Sequence, residues 1–133
     1  MTTVTYAMDY PYLLNPPGYA PQPEAHAYLE LDLHYQGNKR RLWAMVDTGA
    51  DHLMVDGGVA ANLGVPPGPK TYQVNTATGP VWMQLEPNLT VDLAGRRIQT
   101  DVVVDGPPTP LLGLRALLDA VDYGFGQQRW YHT

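Results

Sequence analysis

Prolines and glycines divide this chain into short segments. There are 13 Pro and 13 Gly among 133 residues, with nine Tyr and three Trp among them. Proline lacks a backbone N–H and both residues disfavour helix interiors, so this mixture favours many short strands joined by turns over long helices. The length indicates one domain with a small core.

Alternating apolar and polar residues predict individual strands. Leu29, Leu31 and Leu33 alternate with Glu30, Asp32 and His34, which is the period of a half-buried strand. Residues 40–47 (RRLWAMVD) end in residues that are apolar on both faces, so they predict a strand that enters the interior and delivers Asp47 there. Further strands are predicted at residues 52–56, 71–77, 81–93, 97–105 and 126–132, a turn at 78–80, a turn or two of helix at 59–64 and a helix at 114–121.

The fold class predicted from these elements is mostly β, a closed barrel or a sandwich with one short late helix. Residues 1–25 are rich in Pro and Tyr, and proline at this density argues against regular pairing. They form either an extended arm packed over the body by its tyrosines or a loose tail, and the sequence favours neither. The body is expected to span residues 26–133.

Several function classes are excluded by residues that the chain lacks. Without Cys or Ser, disulfides, thiolate catalysis, zinc–cysteine sites and a serine nucleophile are impossible. The net charge of -5 and the lack of a basic stretch beyond residues 39–41 argue against nucleic acid as a partner. No apolar run has transmembrane length and the first residues resemble no signal peptide, so we expect a cytoplasmic protein without a membrane partner. The four histidines have no metal-ligand spacing, and we expect neither a metal nor another cofactor.

The sequence Asp47-Thr48-Gly49 is the strongest candidate for chemistry. An aspartate at the end of an apolar strand lies in a partly desolvated place, and burying a lone carboxylate is costly unless it serves a function or is paired. Thr48 offers a hydroxyl, and Gly49 allows backbone N–H groups to approach closely. Asp47 is therefore either a catalytic group or a capped strand end.

Residues 44–56 (AMVDTGADHLMVD) resemble the active-site segment of the retropepsins, the retroviral-type aspartic proteases. Residues 106–121 (GPPTPLLGLRALLDAV) are similar to the closing segment of that family, in which an apolar-apolar-Gly element crosses behind the active-site loop. Residues 74–83 (VNTATGPVWM) lie where the family has a β-hairpin flap. The resemblance covers about residues 26–131 and implies a barrel of the retropepsin type.

The resemblance also implies roles for individual residues. Asp47 corresponds to the catalytic aspartate, which Thr48 and Gly49 brace. The implied substrate is a peptide or protein. The residues expected to contact it are Ala50 and Asp51 on its backbone, Thr78 and Gly79 near the flap tip, Met54, Thr109 and Leu111 in side-chain subsites, and His52 at the rim of those subsites.

Three features depart from the viral enzymes, and the chain looks more like the small bacterial relatives. Those enzymes often have Arg directly after the late Gly, paired with the acid that follows the active-site turn, whereas here Leu114 follows Gly113 and Arg115 comes next. Asp51 therefore either contacts the substrate backbone or pairs with a surface Arg. The flap has one glycine, and the arm has no viral counterpart, so a paired N-terminal strand at a dimer interface is not assured.

The mechanism of such a protease needs two carboxylates that share one proton. The chain has one Asp-Thr-Gly sequence, so an active enzyme must be a homodimer with its site on the twofold axis. Two alternatives remain. One is a dimeric binding or assembly module of the same fold without proteolysis, and the other is a monomeric β domain in which Asp47 caps a strand end. The helix at 114–121 is expected to belong to the core through Leu114, Leu117, Leu118 and Val121, while Trp130 and Tyr131 are equally consistent with an interface strand and a packed end.

Overall fold

The computed structural model describes residues 8–127 and 129–133. These residues form short strands and two short helices, as the prolines and glycines predict. In chain order the elements are β1 (Met8–Pro11), β2 (Tyr28–Tyr35), β3 (Asn38–Val46), β4 (Leu53–Met54), α1 (Gly57–Leu63), β5 (Tyr72–Thr76), β6 (Gly79–Met83), β7 (Leu85–Leu93), β8 (Arg96–Val103), β9 (Leu111–Leu112), α2 (Leu114–Ala120), β10 (Tyr123–Phe125) and β11 (Arg129–His132).

Six of the strands close into a barrel in the spatial order β2-β3-β9-β4-β8-β7. β2 is antiparallel to both β3 and β7, and β7 is antiparallel to β8. The two-residue strand β9 lies between β3 and β4, parallel to the first and antiparallel to the second. β4 in turn is parallel to β8, which completes the ring. The predicted fold class, a mostly β closed barrel with a late helix, is therefore confirmed.

The barrel interior is filled by the apolar residues of the alternating strands. Leu29, Leu31 and Leu33 of β2 are buried, whereas Glu30 on the opposite face is exposed, so the period-two interpretation is confirmed. The same cluster extends to both helices and the last strand, because α1, α2 and β11 lie against the barrel. Its other fully buried large side chains include Leu53, Val55, Leu63, Val91, Leu93, Val102, Leu112, Leu117 and Trp130.

Helix α2 confirms the helix predicted at residues 114–121 and its assignment to the core. Ala116, Leu117, Ala120 and Val121 are buried in the main apolar cluster, and Leu114 is half-buried. The side chain of Leu118 lies outside the described part. The described apolar side chains of this helix therefore pack within the chain.

The predicted strand at residues 81–93 is two strands that meet at Gln84. The Gln84 N–H donates to the Asp105 carboxylate (2.9 Å) instead of to a neighbouring strand. A β-bulge follows between Glu86 and Leu89, where Asn88 has a φ of 56° and donates its N–H to Asp101 (3.2 Å). Pro87 has the spacing of the alternating apolar residues of this strand, but the bulge exposes it.

Other boundaries also differ from the prediction. The strand predicted at residues 52–56 contains only Leu53 and Met54. The turn predicted at 78–80 lies one residue earlier, at Ala77 and Thr78, because Thr76 pairs with Gly79 and closes a two-residue turn. Gly79, at a φ of 116°, takes a backbone conformation that other residues rarely adopt.

The arm forms part of the folded body. β1 pairs with β11, which also pairs with β10, in a three-stranded sheet outside the barrel. Trp130 of β11 is fully buried, and the Tyr10 ring stacks on it with centroids 5.4 Å apart. The Tyr12 hydroxyl donates to the Gly126 carbonyl oxygen (2.7 Å). From residue 8 onward the loose-tail interpretation was therefore wrong, and residues 1–7 lie outside the described part.

Proline did not prevent this pairing because Pro11 is the last residue of an edge strand. An edge strand hydrogen bonds along one side only, so a missing N–H on the other side costs nothing. The C-terminal aromatics form a packed end, since Trp130 is buried against Tyr10 of the same chain. The predicted final strand at 126–132 is confirmed as β11 from Arg129, and Gln128 lies outside the described residues.

Candidate active site

Strand β3 delivers Asp47 to the end of the barrel, next to β9. Met45 and Val46 lie in parallel register with Leu111 and Leu112. The Asp47 N–H donates to the Leu112 carbonyl oxygen (3.0 Å) directly beyond this pairing. The two segments on which the resemblance rests are thus hydrogen bonded to each other, with the apolar-apolar-Gly segment behind the Asp-Thr-Gly turn as expected.

The turn itself holds the Asp47 carboxylate by a backbone donor. The Gly49 N–H donates to Asp47 Oδ1 (3.0 Å), and the Ala50 N–H donates to the Asp47 carbonyl oxygen (3.1 Å). A Cβ on Gly49 would lie 3.2 Å from Asp47 Oδ1, so a side chain there would crowd the carboxylate. Asp47 is half-buried, while Thr48 and Gly49 are exposed. The carboxylate is therefore oriented by the backbone and remains open to a ligand.

Thr48 does not contribute to this orientation. Among the described residues its hydroxyl forms no hydrogen bond, and the side chain projects from the exposed turn. Of the two residues expected to hold the Asp47 carboxylate, only Gly49 does so within the described part of the chain, through its N–H. The Thr48 hydroxyl is free to bond to a group outside it.

The start of α2 fixes the segment that follows the turn. The Leu114 N–H donates to the Ala50 carbonyl oxygen (2.8 Å), and the Arg115 N–H donates to the Asp51 carbonyl oxygen (3.1 Å). These donors are two of the four N–H groups that a helix N-terminus leaves unpaired, and Gly113 supplies no side-chain cap. The residues after Asp47 are therefore held by backbone groups of the late segment.

The Asp51 carboxylate is paired with a tyrosine. It accepts a hydrogen bond from the Tyr72 hydroxyl (3.3 Å). The ion pairs seen among the described residues involve Glu30, Asp32, Asp92 and Asp105, so they give no support to the surface-Arg alternative for Asp51. Burial, together with the Asp51 charge and this hydrogen bond, raises the pKa of Tyr72.

His52 is buried directly beside this pair. Only 8% of the residue is exposed, and its ring meets the Tyr72 ring edge-on, with centroids 4.9 Å apart. Its Nδ1 is buried and has no hydrogen-bond partner among the described groups. Burial and the nearby Arg115 charge lower the pKa of His52, against smaller opposing effects of Asp101 and Asp51. A polar cavity of about 320 Å³ lies next to it, lined by His52, Asn88, Gln99, Thr100, Asp101, Arg115 and Asp119.

Residues 72–83 form a hairpin of β5 and β6, in the segment where the resemblance implies a flap. Its five residue pairs run from Tyr72 with Met83 to Thr76 with Gly79. The Thr76 hydroxyl donates to the Gly79 carbonyl oxygen (2.6 Å) and accepts from the Thr78 N–H (3.3 Å), which orders the tip. Thr78 is exposed and Gly79 half-buried at this tip.

The remaining predicted subsite residues lie in β4, in β9 and in the loop just before β9. Met54 and Leu111 are partners in the antiparallel pairing of these strands. Met54 is almost completely buried, whereas Leu111 and Thr109 are half-buried. Leu111 and Thr109 therefore offer more surface to a ligand than Met54 or His52.

Neither a metal centre nor a membrane segment is found in the described part of the chain. No group of three or more His, Asp or Glu side chains there is arranged to hold a metal ion. Neither of the helices formed by residues 8–127 and 129–133 has the length and apolar character needed to cross a membrane.

The closed barrel and the Asp-Thr-Gly turn, backed by an apolar-apolar-Gly segment, define a site of the aspartic protease type. A family model described as aspartyl protease matches residues 33–116. The chain belongs to this family, the retropepsin-like aspartyl proteases. No curated protein matches the chain.

Sequence reasoning missed Tyr72 and Thr76. Tyr72 is the second residue of a predicted strand, and strand alternation places it on the same face as Val74, but no local signal connects it to Asp51 or His52. Thr76 precedes the turn by one residue, where a hydroxyl commonly bonds to nearby backbone groups. That preference was the one signal in the sequence that could have found it.

Proposed function

We propose that the protein is an aspartic endopeptidase that works as a homodimer, with one Asp47 from each subunit at the twofold axis. The observation that carries the proposal is the Asp47 carboxylate itself. It is half-exposed at the mouth of the barrel and oriented by the Gly49 N–H (3.0 Å). Membership of the aspartyl protease family supports this reading of the geometry.

The second aspartate must come from a second copy because the chain contains one Asp-Thr-Gly sequence. Thr48 and Gly49 are exposed on the turn, which leaves the surface around Asp47 open to a twofold partner. A C2 interface brings the same patch of both subunits together, so two copies of the turn would face each other.

The proposed reaction uses a water molecule held between the two carboxylates. Two close carboxylates cannot both ionise, so the pair shares one proton. The ionised member removes a proton from the water, which attacks the peptide carbonyl carbon, while the protonated member donates to the carbonyl oxygen. The carboxyl group that took a proton from the water then passes it to the amide nitrogen, and the C–N bond breaks to release the amine. The other carboxylate takes back the proton from the former carbonyl oxygen, which restores the pair with one shared proton. The titration belongs to the pair and not to one residue.

The substrate would lie between the turn and the hairpin. Ala50 and Asp51 would contact its backbone from the turn side, and Thr78 and Gly79 from the tip of the hairpin, which would act as a flap. Thr109 and Leu111 offer half-buried surface to its side chains, with smaller contributions from Met54 and His52. We therefore propose a peptide or an unfolded protein with apolar or aromatic side chains as the substrate.

The test compares the wild-type protein with Asp47→Asn and with Asp122→Asn, a matched change at an exposed carboxylate away from the turn. Each protein is incubated with a mixture of unfolded proteins between about pH 3 and 7, a range that includes the titration of carboxylate pairs. Mass spectrometry identifies the fragments, and light scattering measures the molecular mass.

We expect cleavage by the wild type and by Asp122→Asn, none by Asp47→Asn, and dimers for all three. Dimers that cleave nothing at any pH would reject the protease and favour the binding or assembly module. A monomer at micromolar concentration would reject the shared site.

A further inference from the structure

We propose that Tyr72 is a positioning residue that holds the β5–β6 hairpin against the segment after the catalytic turn. This inference rests on the proposed function, since the hairpin would cover the substrate. Tyr72 begins the hairpin, its hydroxyl donates to Asp51 Oδ2 (3.3 Å), and its ring meets the His52 ring edge-on at 4.9 Å. One side chain thus makes a polar and an aromatic contact to two consecutive residues of the site.

The hairpin has few other attachments. β5 and β6 form a two-stranded sheet of their own, separate from the barrel. Among the described residues, the Tyr72 hydroxyl is the one group of residues 72–83 that hydrogen bonds to the rest of the protein. An isolated two-stranded hairpin is only marginally stable in water, so its orientation depends on such contacts.

Tyr72 lies on the face of the hairpin that would meet a substrate. Tyr72, Val74, Val81 and Met83 share one face, because residue pairs across the hairpin are in register and successive side chains point to opposite sides. Tyr72 directs this face toward Asp51 and His52. Trp82 lies on the other face and is 53% exposed. Release of Tyr72 would therefore change the position of the Val74 and Val81 face relative to Asp47.

The segment that receives Tyr72 is held by backbone contacts. Asp51 is held through its carbonyl oxygen by Arg115, and the His52 backbone lies against Gly113, which leaves no space between them. Removing the tyrosine contact should loosen the hairpin while Asp47 and its Gly49 donor stay in place. Loosening of the hairpin alone would indicate a positioning role, whereas a general contribution to stability would affect the whole chain.

The test uses the full-length protein and its variants Tyr72→Phe and Tyr72→Ala. Tyr72→Phe removes the hydrogen bond and keeps the ring, whereas Tyr72→Ala removes both. Tyr12→Phe is the matched control, because it removes a tyrosine hydroxyl that donates to Gly126 (2.7 Å), away from the hairpin. Hydrogen exchange followed by mass spectrometry measures the opening of residues 72–83 and requires no enzymatic activity.

We expect exchange in the hairpin to rise about two- to fivefold in Tyr72→Phe and further in Tyr72→Ala, as for the loss of one ordinary hydrogen bond and then of an aromatic contact. Exchange in β2 and β7 should stay unchanged in these variants, and Tyr12→Phe should leave the hairpin unchanged. With a peptide substrate, kcat/KM should fall by a similar factor, mainly through a higher KM.

Unchanged hairpin exchange in Tyr72→Ala would overturn the proposal. So would an equal rise in every strand, since that result would indicate general destabilisation. If the hairpin loosens as expected but no variant and no wild-type protein cleaves any substrate, the positioning contact stands and the protease assignment fails.

Discussion

The backbone of His52 lies directly against Gly113, and an added Cβ on Gly113 would be 2.7 Å from the His52 nitrogen and closer still to its carbonyl group. This contact joins the segment after the Asp-Thr-Gly turn to the N-terminus of α2. The neighbouring hydrogen bonds from Leu114 to Ala50 and from Arg115 to Asp51 have the same effect. The glycine is therefore required by a close approach of two backbones and not by its flexibility.

Gly113→Ala should destabilise the protein by about 3 kcal/mol or more, because neither backbone can move without breaking these hydrogen bonds. Gly57→Ala is the control, since a Cβ there meets nothing within 4 Å and Gly57 begins α1. It should be neutral or stabilise by up to about 0.5 kcal/mol. Urea unfolding measures both free energies. Equal stability of the Gly113→Ala variant and the wild type would contradict the close approach of the Gly113 and His52 backbones.

Acid should destabilise the folded chain through His52. The unfolded histidine takes up a proton near about pH 6.5, whereas burial and Arg115 lower the pKa of His52 in the folded state. Nearby Asp101 and Asp51 only partly oppose this effect. The free energy of unfolding is therefore fully retained above pH 6.5 and falls as the pH drops from there toward the folded-state pKa.

His52→Phe keeps an aromatic ring against Tyr72 and cannot titrate. Its free energy of unfolding should fall less than that of the wild type between about pH 7 and 5, the range in which an unperturbed histidine titrates. Urea unfolding at several pH values measures the difference. The same fall in both proteins would contradict the assignment of acid sensitivity to His52.

The packing of the arm should contribute to the free energy of unfolding. The Tyr10 ring stacks on both Trp130 and His132 with centroid separations of 5.4 Å. Tyr10→Ala should therefore destabilise the chain by about 2 kcal/mol, somewhat less than the loss of a fully buried aromatic side chain. Phe125→Ala, at a residue that is half exposed on the same sheet, should cost about 1 kcal/mol or less. A Tyr10→Ala variant as stable as the wild type would contradict the packing of the arm and favour a loose tail.

Much of the fold could be predicted because its signals are local. The alternation in residues 28–35 specifies a half-buried strand, and Gly64 ends α1 in the left-handed conformation that favours glycine. The relation between the active-site turn and residues 111–113 came from the resemblance of two segments, and the pairing of β3 with β9 agrees with it.

The features that the sequence did not reveal depend on contacts between distant segments. Pro87 continues an alternating pattern, but the bulge that exposes it is fixed by the Asp101 carboxylate on a neighbouring strand. A surface arginine was the alternative partner considered for Asp51, but its partner is Tyr72, which no short-range pattern relates to it. Proline suggested an unpaired arm because a sequence does not tell whether a strand will lie at the edge of a sheet.

The claim that the two Asp47 residues of a dimer form one site is tested most directly with mixed dimers. Wild-type and Asp47→Asn subunits are combined in varied proportions, allowed to exchange, and assayed for cleavage of one peptide. If both aspartates are needed, activity follows the square of the wild-type fraction, so an equal mixture retains about one quarter of the full activity. A linear decline, with about one half retained in the equal mixture, would mean that each subunit works alone and would contradict the shared site.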